Sequence, residues 1–438
     1  MPRSMPWLVA ALREPDVYPH PVDRVELVET HISWVFLAGE RVYKVKKPVD
    51  LGFLDFRTLR QRRHFSREEV RLNRRLAPDT YLGVIELKGS RPHIRIGGVG
   101  PTIEVAVEMR RLPAERMLDR LVAGGRAEPA HVRAVAATVA RFHGEAETGG
   151  RIDQMGSVET IRKNWDECFA QTAETPANLW PPEQRRTLRD YVGDFLTRAA
   201  ARLEARISEG RIRDCHGDLQ AQHVCCIEPI QIFDCIEFNE RFRFGDTAGE
   251  VAFLAMDLQR LGASELAVEF INAYMEETGD YGVVPLLDFY RAYRALVRAK
   301  VLAFQLSERP ELAPAARVLF ALAGRFAEPR SRARLLITSG VMGSGKSTVA
   351  RAVAARLGAI VIRTDAVRKR LGGIGIHERA TAGFGEGLYT SDISNRTYTR
   401  PSGSPLRSSV LGGRSSSTEA SRERPSARKP GVWPTALA

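Results

Sequence analysis

The chain has 438 residues, 44% of them hydrophobic and 27% charged, which is enough to bury the cores of two or three soluble domains. Its apolar runs fall short of the roughly 20 residues of a membrane-spanning helix, and the run from Trp7 to Leu12 is too short for a secretory signal, so we expect a cytoplasmic protein with no membrane partner. Of the formal net charge of +12, +6 lies in residues 396–438 and the remainder forms no basic stripe, which disfavours nucleic acid as the partner.

The N-terminal third of the chain is rich in strand patterns. Alternating or β-branched segments, separated by turn residues, are typical of short antiparallel strands. A charged segment with apolar residues at helical spacing interrupts them. The sequence therefore predicts strands at 25–29, 34–37, 41–45, 94–96 and 103–109 and a surface helix over 57–77.

Helices dominate after about residue 115. Apolar residues recur at near-helical spacing, with few breakers, over 131–143, 183–207 and 286–308. Between the last two of these segments, residues 212–236 are β-rich again. A strand-rich lobe followed by a helical lobe with an inserted hairpin is the order found in bilobal kinases.

The five cysteines are few for this length, and four of them lie within 21 residues, which raises the question of a zinc site. However, the chain has no CxxC pair, and the adjacent Cys225 and Cys226 would point to opposite faces of a strand. We therefore predict buried, reduced thiols.

A short polar linker at 326–334 leads to a second unit. Residues 335–339 are a buried-strand candidate, 347–357 form a predicted helix, and 360–365 form a second predicted strand that ends in an acid. Beyond residue 400 the composition changes, because residues 401–438 contain five Pro, nine Ser and four Gly and no hydrophobic periodicity. Such a segment cannot build a core and is predicted to be disordered.

The segment His216-Gly-Asp-Leu-Gln-Ala-Gln-His223, followed by Ile232-Phe-Asp234, suggests phosphoryl transfer. That reaction needs one carboxylate to orient or deprotonate the acceptor hydroxyl, a second to hold Mg²⁺, and a lysine to neutralise phosphate charge. Asp218 lies in a loop between β segments and Asp234 ends the next short strand. A single Asp in a turn is usually a turn former, but this pair at this spacing predicts two carboxylates that face one cleft.

These residues resemble the aminoglycoside phosphotransferase-like branch of the protein-kinase fold. The resemblance rests on HGDL at 216–219, the apolar-apolar-Asp pattern at 232–234, and the segment 245–250 before an apolar helix. It implies that Asp218 is the catalytic base and that Asp234 binds Mg²⁺.

In the first lobe, the resemblance implies that Lys44 contacts the phosphates of ATP and that Glu69 is its helix partner, with Lys46 on the same strand face as a rival. The chain departs from the pattern in lacking a G-x-G-x-x-G loop. It also has His223 where Asn usually serves as a second metal ligand. Imidazole suits Mg²⁺ poorly, so chemistry with one metal ion or contact through water stays open. His216 is interpreted as structural.

A second phosphate site is predicted at residues 340–348, which fulfil the pattern G-x-x-x-x-G-K-[ST] between a predicted strand and a predicted helix. Glycines there let successive N–H groups wrap the phosphates at a helix N-terminus, while Lys346 would reach the β- and γ-phosphates and Ser347 the Mg²⁺. A glycine-rich turn without a ligand is the alternative that this context disfavours. The residues predicted to bind the nucleotide are Gly340, Gly343, Ser344, Gly345, Lys346, Ser347 and Thr348.

The strand that follows ends in Arg363-Thr-Asp365 and resembles small-molecule P-loop kinases, in which such an Arg and Asp address the acceptor. Taken together, the two halves resemble bacterial fusion proteins that join an aminoglycoside phosphotransferase-like domain to a P-loop kinase-like ATPase domain. The resemblance covers most of residues 20–398.

The second domain is short for its type. A domain of this kind needs about 150 residues, whereas about 65 separate Leu335 from the change in composition. No later apolar strand that ends in Asp and no arginine-bearing lid follow. Our hypothesis is a change of reading frame near residue 400, which would leave the P-loop domain truncated.

The sequence thus predicts an α+β fold, with a bilobal protein-kinase-like domain at 20–325, a partial α/β P-loop domain at 334–400 and a disordered tail at 401–438. The predicted function is ATP- and Mg²⁺-dependent phosphorylation of a small-molecule hydroxyl, with the acceptor and the oligomeric state left open. The alternative from another class is a non-catalytic ATP-binding regulatory module. Nucleic-acid binding through the basic tail is a more distant third interpretation.

Overall fold

The computed structural model describes residues 5–52, 54–90, 93–328, 335–341, 343–378 and 387–399. The predicted disordered tail at 401–438, and with it the predicted change of reading frame, lies outside these residues. Over the ranges that are described, no helix is both long and apolar enough to cross a membrane.

The first lobe is an antiparallel sheet with two helices. Along the sheet the six strands lie in the order β1 (Val25–Glu29), β2 (Ser33–Ala38), β3 (Arg41–Lys46), β6 (Thr102–Arg110), β4 (Tyr81–Ser90) and β5 (His93–Ile96). The predicted strands and the predicted helix are confirmed, whereas the strand at 81–90 was not predicted. The two helices are α1 (Pro6–Ala11) and α2 (Leu59–Asn73).

Strand β3 and helix α2 bring charged residues together inside this lobe. Lys44 and Lys46 are two residues apart on β3, so both side chains point to the same face of the sheet. Helix α2 begins with a capping box between Thr58 and Gln61 and buries the side chain of Glu69 completely. A buried carboxylate is stable only when it is paired, and the two lysines of β3 provide that pairing.

The second lobe is mainly helical. Helix α8 forms its centre, and the side chains of residues 247–258 are all buried against the surrounding helices. Aromatic side chains fill the gap between the outer helices, with the rings of Phe195 and Phe289 stacked at 4.2 Å. The elements are α3 (Leu118–Ala123), α4 (Pro129–Glu145), α5 (Val158–Gln171), α6 (Pro182–Ser208), β7 (Ile212–Asp214), β8 (Val224–Cys225), β9 (Gln231–Ile232), α7 (Glu240–Arg243), β10 (Phe244–Asp246), α8 (Thr247–Arg260), α9 (Ser264–Thr278), α10 (Leu287–Ala303) and α11 (Ala313–Phe326).

Two short strand pairs hold the loops at the cleft between the lobes. Strands β8 and β9 pair with Val224 opposite Ile232, and β7 and β10 pair with Asp214 opposite Phe244. This order of elements is the two-lobed protein-kinase-like fold that the sequence predicted.

All five cysteines are buried in the second lobe as free thiols, which confirms the prediction. Burial raises the pKa of Cys225 and Cys226 to about 11 and that of Cys235 to about 12. Cys215 comes within 4.8 Å of His143 and Glu250, the kind of group that could hold a metal ion. However, His143 and Glu250 bond each other and other neighbours, so the group serves the fold.

The P-loop unit contributes three helices to the described structure, α12 (Lys346–Leu357), α13 (Thr364–Leu371) and α14 (Ser391–Thr399). Helix α12 confirms the helix predicted over 347–357. It packs against α9 of the second lobe, where Arg351 forms an ion pair of 3.1 Å with Glu276.

The two strands predicted in the P-loop unit were wrong. Within the described residues, 335–339 and 360–363 form no strand, and Ile337 is 81% exposed. A strand needs a hydrogen-bonded neighbour, and neither segment finds one in the described part of this unit. The backbone at 359–361 instead bonds the amide of Asn272 on α9, at 3.0 Å to the Ala359 oxygen and 2.7 Å from the Val361 nitrogen.

Candidate active site

The two predicted carboxylates face the cleft, as expected from their spacing. Asp218 lies in the loop after β7, and Asp234 lies two residues after the end of β9. Asp234 takes a left-handed backbone conformation with φ of 66°, which non-glycine residues adopt rarely and mostly at functional sites. Its backbone N–H donates to the Tyr81 hydroxyl at 3.2 Å, so β4 helps to hold this conformation.

Lys44 connects the first lobe to Asp234. Its Nζ lies 2.6 Å from Asp234 Oδ1 and 2.8 Å from Glu69 Oε1, which makes it the cleft-facing lysine of β3. Loss of hydration opposes the charge on Lys44, but Asp234 and Glu69 outweigh it and raise the lysine pKa well above its ordinary value. Loss of hydration also opposes ionisation of Asp234, yet Lys44 and His223 hold the pKa of that carboxyl well below its usual range.

The rival lysine, Lys46, has a different environment. It is fully buried, with Nζ 2.6 Å from the second oxygen of Glu69, in contact with Glu237, and 5.0 Å from the ring centre of Phe56. Burial opposes its charge, but Glu237 and Glu69 raise its pKa. Lys46 therefore has no access to the cleft, and its charge stabilises the two buried carboxylates.

Glu237 is a member of this cluster that the sequence prediction missed. It follows Asp234 by three residues and is buried, and burial raises its pKa. For Glu69, burial also opposes ionisation, but Lys44 and Lys46 together lower its pKa. The pairing of Lys46 with Glu237 ties β3 and α2 to the segment that carries Asp234.

His223 lies between the two carboxylates of the cleft. Its Nδ1 donates to the backbone oxygen of Asp218 at 2.9 Å, and its Nε2 lies 3.5 Å from Asp234 Oδ2. With the proton on Nδ1, the lone pair of Nε2 is left as an acceptor, and the side-chain amide of Gln222 approaches it at 3.0 Å. His223 thus lies 3.5 Å from each carboxylate, and its own hydrogen bond goes to the backbone of Asp218.

The donor set can be compared with the requirements of Mg²⁺. This ion takes oxygen ligands and is usually bound by one or two carboxylates together with substrate phosphates. The Asp234 side chain is 42% exposed at the cleft and satisfies that requirement. The imidazole of His223 is a poorer match, so the residues present fit one Mg²⁺ held through Asp234.

The loop that carries Asp218 is supported from below by Glu250 on α8. The Glu250 carboxylate accepts hydrogen bonds from the backbone N–H groups of His216, at 3.0 Å, and Gly217, at 2.7 Å, and from His143 Nε2 at 2.9 Å. Burial opposes ionisation of Glu250, but His143 and His216 lower its pKa to about 2. The structural interpretation of His216 is confirmed, because its Nε2 bonds the Phe233 oxygen at 3.0 Å.

Two further contacts fix the Asp218 side chain and its loop. The amide of Gln220 donates to Asp218 Oδ1 at 2.6 Å and leaves Oδ2 directed elsewhere. Gly217 has φ of 86°, and a Cβ there would lie 2.9 Å from the backbone oxygen of Phe242. Only glycine fits at this position, which explains the Gly of the HGDL pattern.

The second phosphate loop has the expected backbone. Gly340, Gly343 and Gly345 all have positive φ, at 151°, 79° and 81°, and α12 begins immediately afterwards. Lys346 Nζ donates to the carbonyl oxygens of Gly340, at 2.9 Å, and Val341, at 2.6 Å. Ser344, Ser347 and Thr348 are exposed along the same loop and helix start.

The pair predicted to address an acceptor in the P-loop unit lies against the second lobe. Arg363 contacts Glu276 of α9 and lies 3.8 Å from Asp365, which in turn lies 3.3 Å from Lys369. The structure brings Arg363 and Asp365 together, but it also engages the arginine with the neighbouring domain.

Sequence comparisons connect both parts of the chain with known proteins. A family profile described as an AAA domain matches residues 335–402. Over 377 residues, which is 85% of this chain, the sequence is 37% identical to an uncharacterised protein of Mycobacterium tuberculosis and to one of Mycobacterium bovis, and the match covers 74% of each.

Solved structures with similar folds have much lower identity. A choline/ethanolamine kinase family protein from Mesorhizobium loti is 12% identical with a TM-score of 0.44, and the match covers 80% of this chain and 100% of that one. The GDP complex of aminoglycoside 2′-phosphotransferase-IIIa is 14% identical with a TM-score of 0.42, covering 70% of this chain and 94% of the other.

Proposed function

The chain belongs to the same protein family as the mycobacterial proteins to which it is 37% identical, and we propose that it is an ATP-dependent phosphotransferase that acts on a small-molecule hydroxyl. One observation carries this proposal. Lys44 from the first lobe lies between Glu69 and Asp234, while Asp218 lies beside Asp234 with His223 between them. This arrangement supports the proposal, because phosphoryl transfer requires a lysine and two carboxylates that face one cleft.

Each residue has a separate task in this proposal. Lys44 offers a positive charge to the phosphates of ATP, and Glu69 fixes that charge in place. Mg²⁺, when bound through Asp234, neutralises further phosphate charge. The enzyme itself supplies positioning and electrostatic stabilisation.

Asp218 is the proposed base. As the acceptor oxygen forms its bond to the γ-phosphorus, the bond from that phosphorus to the bridging oxygen breaks and ADP leaves. The hydroxyl proton passes to Asp218, whose Oδ2 is the oxygen not engaged by Gln220. Glu250 holds the backbone of the loop, so the carboxylate meets the acceptor in a fixed orientation.

Mg²⁺-dependent ATP turnover tests the proposal. The assay uses the full chain with Lys346→Ala, so that ATP turnover cannot depend on the P-loop lysine. The acceptors are a panel of hydroxyl-bearing metabolites and aminoglycosides. We expect phosphorylation of at least one acceptor, and a loss of about 10²-fold or more in both Asp218→Asn and Asp234→Ala. Turnover that survives in both variants would overturn the assignment.

A non-catalytic ATP-binding module is the second candidate, and His223 is the observation that favours it. Where a second oxygen ligand for the metal is usual, the chain has an imidazole whose Nε2 already meets Gln222. This alternative predicts that ATP binds in the Lys44 cleft but that no acceptor of the panel is phosphorylated.

For residues 340–348 we propose a second nucleotide site, at which Lys346 exchanges the carbonyl oxygens of its own loop for the phosphates. The positive-φ glycines and the helix start support this proposal. Binding of ATP that persists when Lys44 is replaced and disappears when Lys346 is replaced as well would support it.

A further inference from the structure

A cavity of about 320 Å³ lies on the far side of the catalytic loop, between α4, β7 and the C-terminal end of α9. Three arginines line it, Arg141 from α4 and Arg211 and Arg213 from the start of β7. The polar side chains beside them are Thr247, Tyr274 and Thr278. This wall belongs neither to the Lys44 cleft nor to the P-loop.

The positive charges of these arginines are poorly compensated by carboxylates. Within the described part of the chain, Arg213 bonds backbone oxygens only, at 2.9 Å from Gly210, 3.2 Å from Gly144 and 2.7 Å from Ala146. Arg141 has no hydrogen bond or ion pair with any residue of the described ranges. Backbone oxygens carry only partial charge, so no carboxylate among the described residues neutralises either guanidinium group.

Arg211 has one ion pair, and it shares that carboxylate with another arginine. Its nearest carboxylate is Asp280, at 3.7 Å, and that carboxylate is already bound by Arg206 at 2.6 and 2.7 Å. The Nε of Arg211 is buried and makes no hydrogen bond among the residues that the structure describes; the Asp280 oxygen at 3.7 Å lies beyond hydrogen-bond distance. A buried donor without an acceptor is costly, which points to a ligand that would supply one.

Among the described residues the wall has one acid, Glu277, against three guanidinium groups. Glu277 accepts from His377 at 2.9 Å. A fourth guanidinium, that of Arg370, lies close by and donates to the backbone oxygens of Glu276 and Glu277. Burial lowers the pKa of Arg370, against the opposing effect of Tyr281 and two glutamates. The nearby Arg211 makes a smaller contribution that also lowers it.

The hydroxyl groups of the wall are already engaged. Tyr274 donates to His143 at 2.8 Å, and Thr278 donates to the backbone oxygen of Tyr274 at 2.8 Å. A neutral polyol would find few free partners here, whereas an anion would meet several guanidinium groups. Guanidinium matches the oxygens of phosphate in pairs, and the volume is near the lower end of the roughly 300–1,000 Å³ of ligand sites.

We propose that this cavity is a binding site for a phosphate group, either free phosphate or the phosphate of a small phosphorylated metabolite. The site reaches the catalytic loop through observed contacts, because His143 on its wall bonds Glu250, which accepts from the backbone of His216 and Gly217. The proposal does not depend on the function assigned to the cleft.

Calorimetric titration of the full chain at constant ionic strength tests the site. The parent protein carries Lys346→Ala, so that the P-loop lysine does not contribute to phosphate binding. The ligands are inorganic phosphate, glucose 6-phosphate and, as a neutral control, glucose. We expect phosphate or glucose 6-phosphate to bind and glucose not to bind; preference between the first two identifies the source of the phosphate.

The matched variants are Arg141→Ser/Arg211→Met and the control Arg24→Ser/Arg186→Ser, which removes the same charge from exposed surface pairs. We expect affinity to fall about tenfold or more in the first and to stay within about twofold in the second. Equal affinity in the two variants, or no binding by the parent, would overturn the proposal. Should the first variant not fold, Arg141→Ser alone, at an exposed position, makes the same comparison.

Discussion

Two lysines suited to bind phosphate are stabilised in opposite ways in this chain. Lys44 is held by carboxylates, one of which lies 190 residues further along the sequence. Lys346 is held by carbonyl oxygens of its own loop, 6 and 5 residues before it. The first site exists only when both lobes fold against each other, whereas the second is specified by a local stretch of glycines and a helix start. A long-range site can be pre-organised more rigidly, and a local site can form with less of its domain present.

The largest expected effect is on ATP turnover and tests the role of Lys44. Lys44→Met should lower ATP turnover by about 10²–10³-fold, because the phosphates lose a positioned positive charge. Lys47→Met is the matched control, since Lys47 follows the end of the same strand and pairs with Glu29 at 2.6 Å. Turnover is measured with the acceptor found in the panel, and an equal loss in both variants would contradict the assignment of Lys44.

The second effect is on the stability of the fold and tests the contribution of the buried Lys46. Lys46→Met leaves Glu69 and Glu237 buried without their shared partner, and we expect it to lower the free energy of unfolding by about 3–5 kcal/mol. Lys46→Met/Glu237→Gln should regain part of that loss, because one uncompensated charge is removed with the lysine. Urea unfolding followed by tryptophan fluorescence measures both. A double variant no more stable than the single one would show that Glu237 is not the partner that matters.

The smallest effect is the pH dependence of the stability that Glu250 contributes beneath the Asp218 loop. The pKa of Glu250 is lowered from 4.5 to about 2 in the folded chain, so its contribution to stability is present above pH 4.5 and is lost as the pH falls toward 2. Glu250→Gln should cost about 3 kcal/mol at pH 7, and the difference from the parent should shrink on acidification. Unfolding curves at several pH values measure it, and a difference that does not change with pH would contradict the prediction.

Much of the cleft could be predicted from the sequence because its residues occur in short patterns with fixed spacing. These patterns predict that Asp218, Asp234, Lys44 and Glu69 face one cleft, and the structure brings them together. Lys46 could be identified only as a rival, since spacing along a strand does not reveal which of two lysines meets solvent. The partner that distinguishes them, Glu237, carried no pattern of its own.

Long-range pairing explains the remaining differences. Strand β4 escaped prediction because Gly83 and Gly89 interrupt its alternation, yet β6 pairs with it over most of its length. In the P-loop unit the apolar runs at 335–339 and 360–365 predicted strands, but a run becomes a strand only beside a partner. The side-chain amide of Asn272, on another domain, instead forms hydrogen bonds with the backbone of Ala359 and Val361.

The five buried thiols allow local opening of the second lobe to be followed by chemical labelling of the native chain. Because burial raises their pKa, a thiol-specific reagent in neutral solution reacts with them only when the surrounding structure opens and lets water in. Four of the five lie between residues 215 and 235, on either side of the acids of the cleft, and none lies in the first lobe or beyond residue 328. Labelling resolved by residue would therefore report the opening of segment 215–235 through four thiols and that of α5 through Cys168, without any engineered probe.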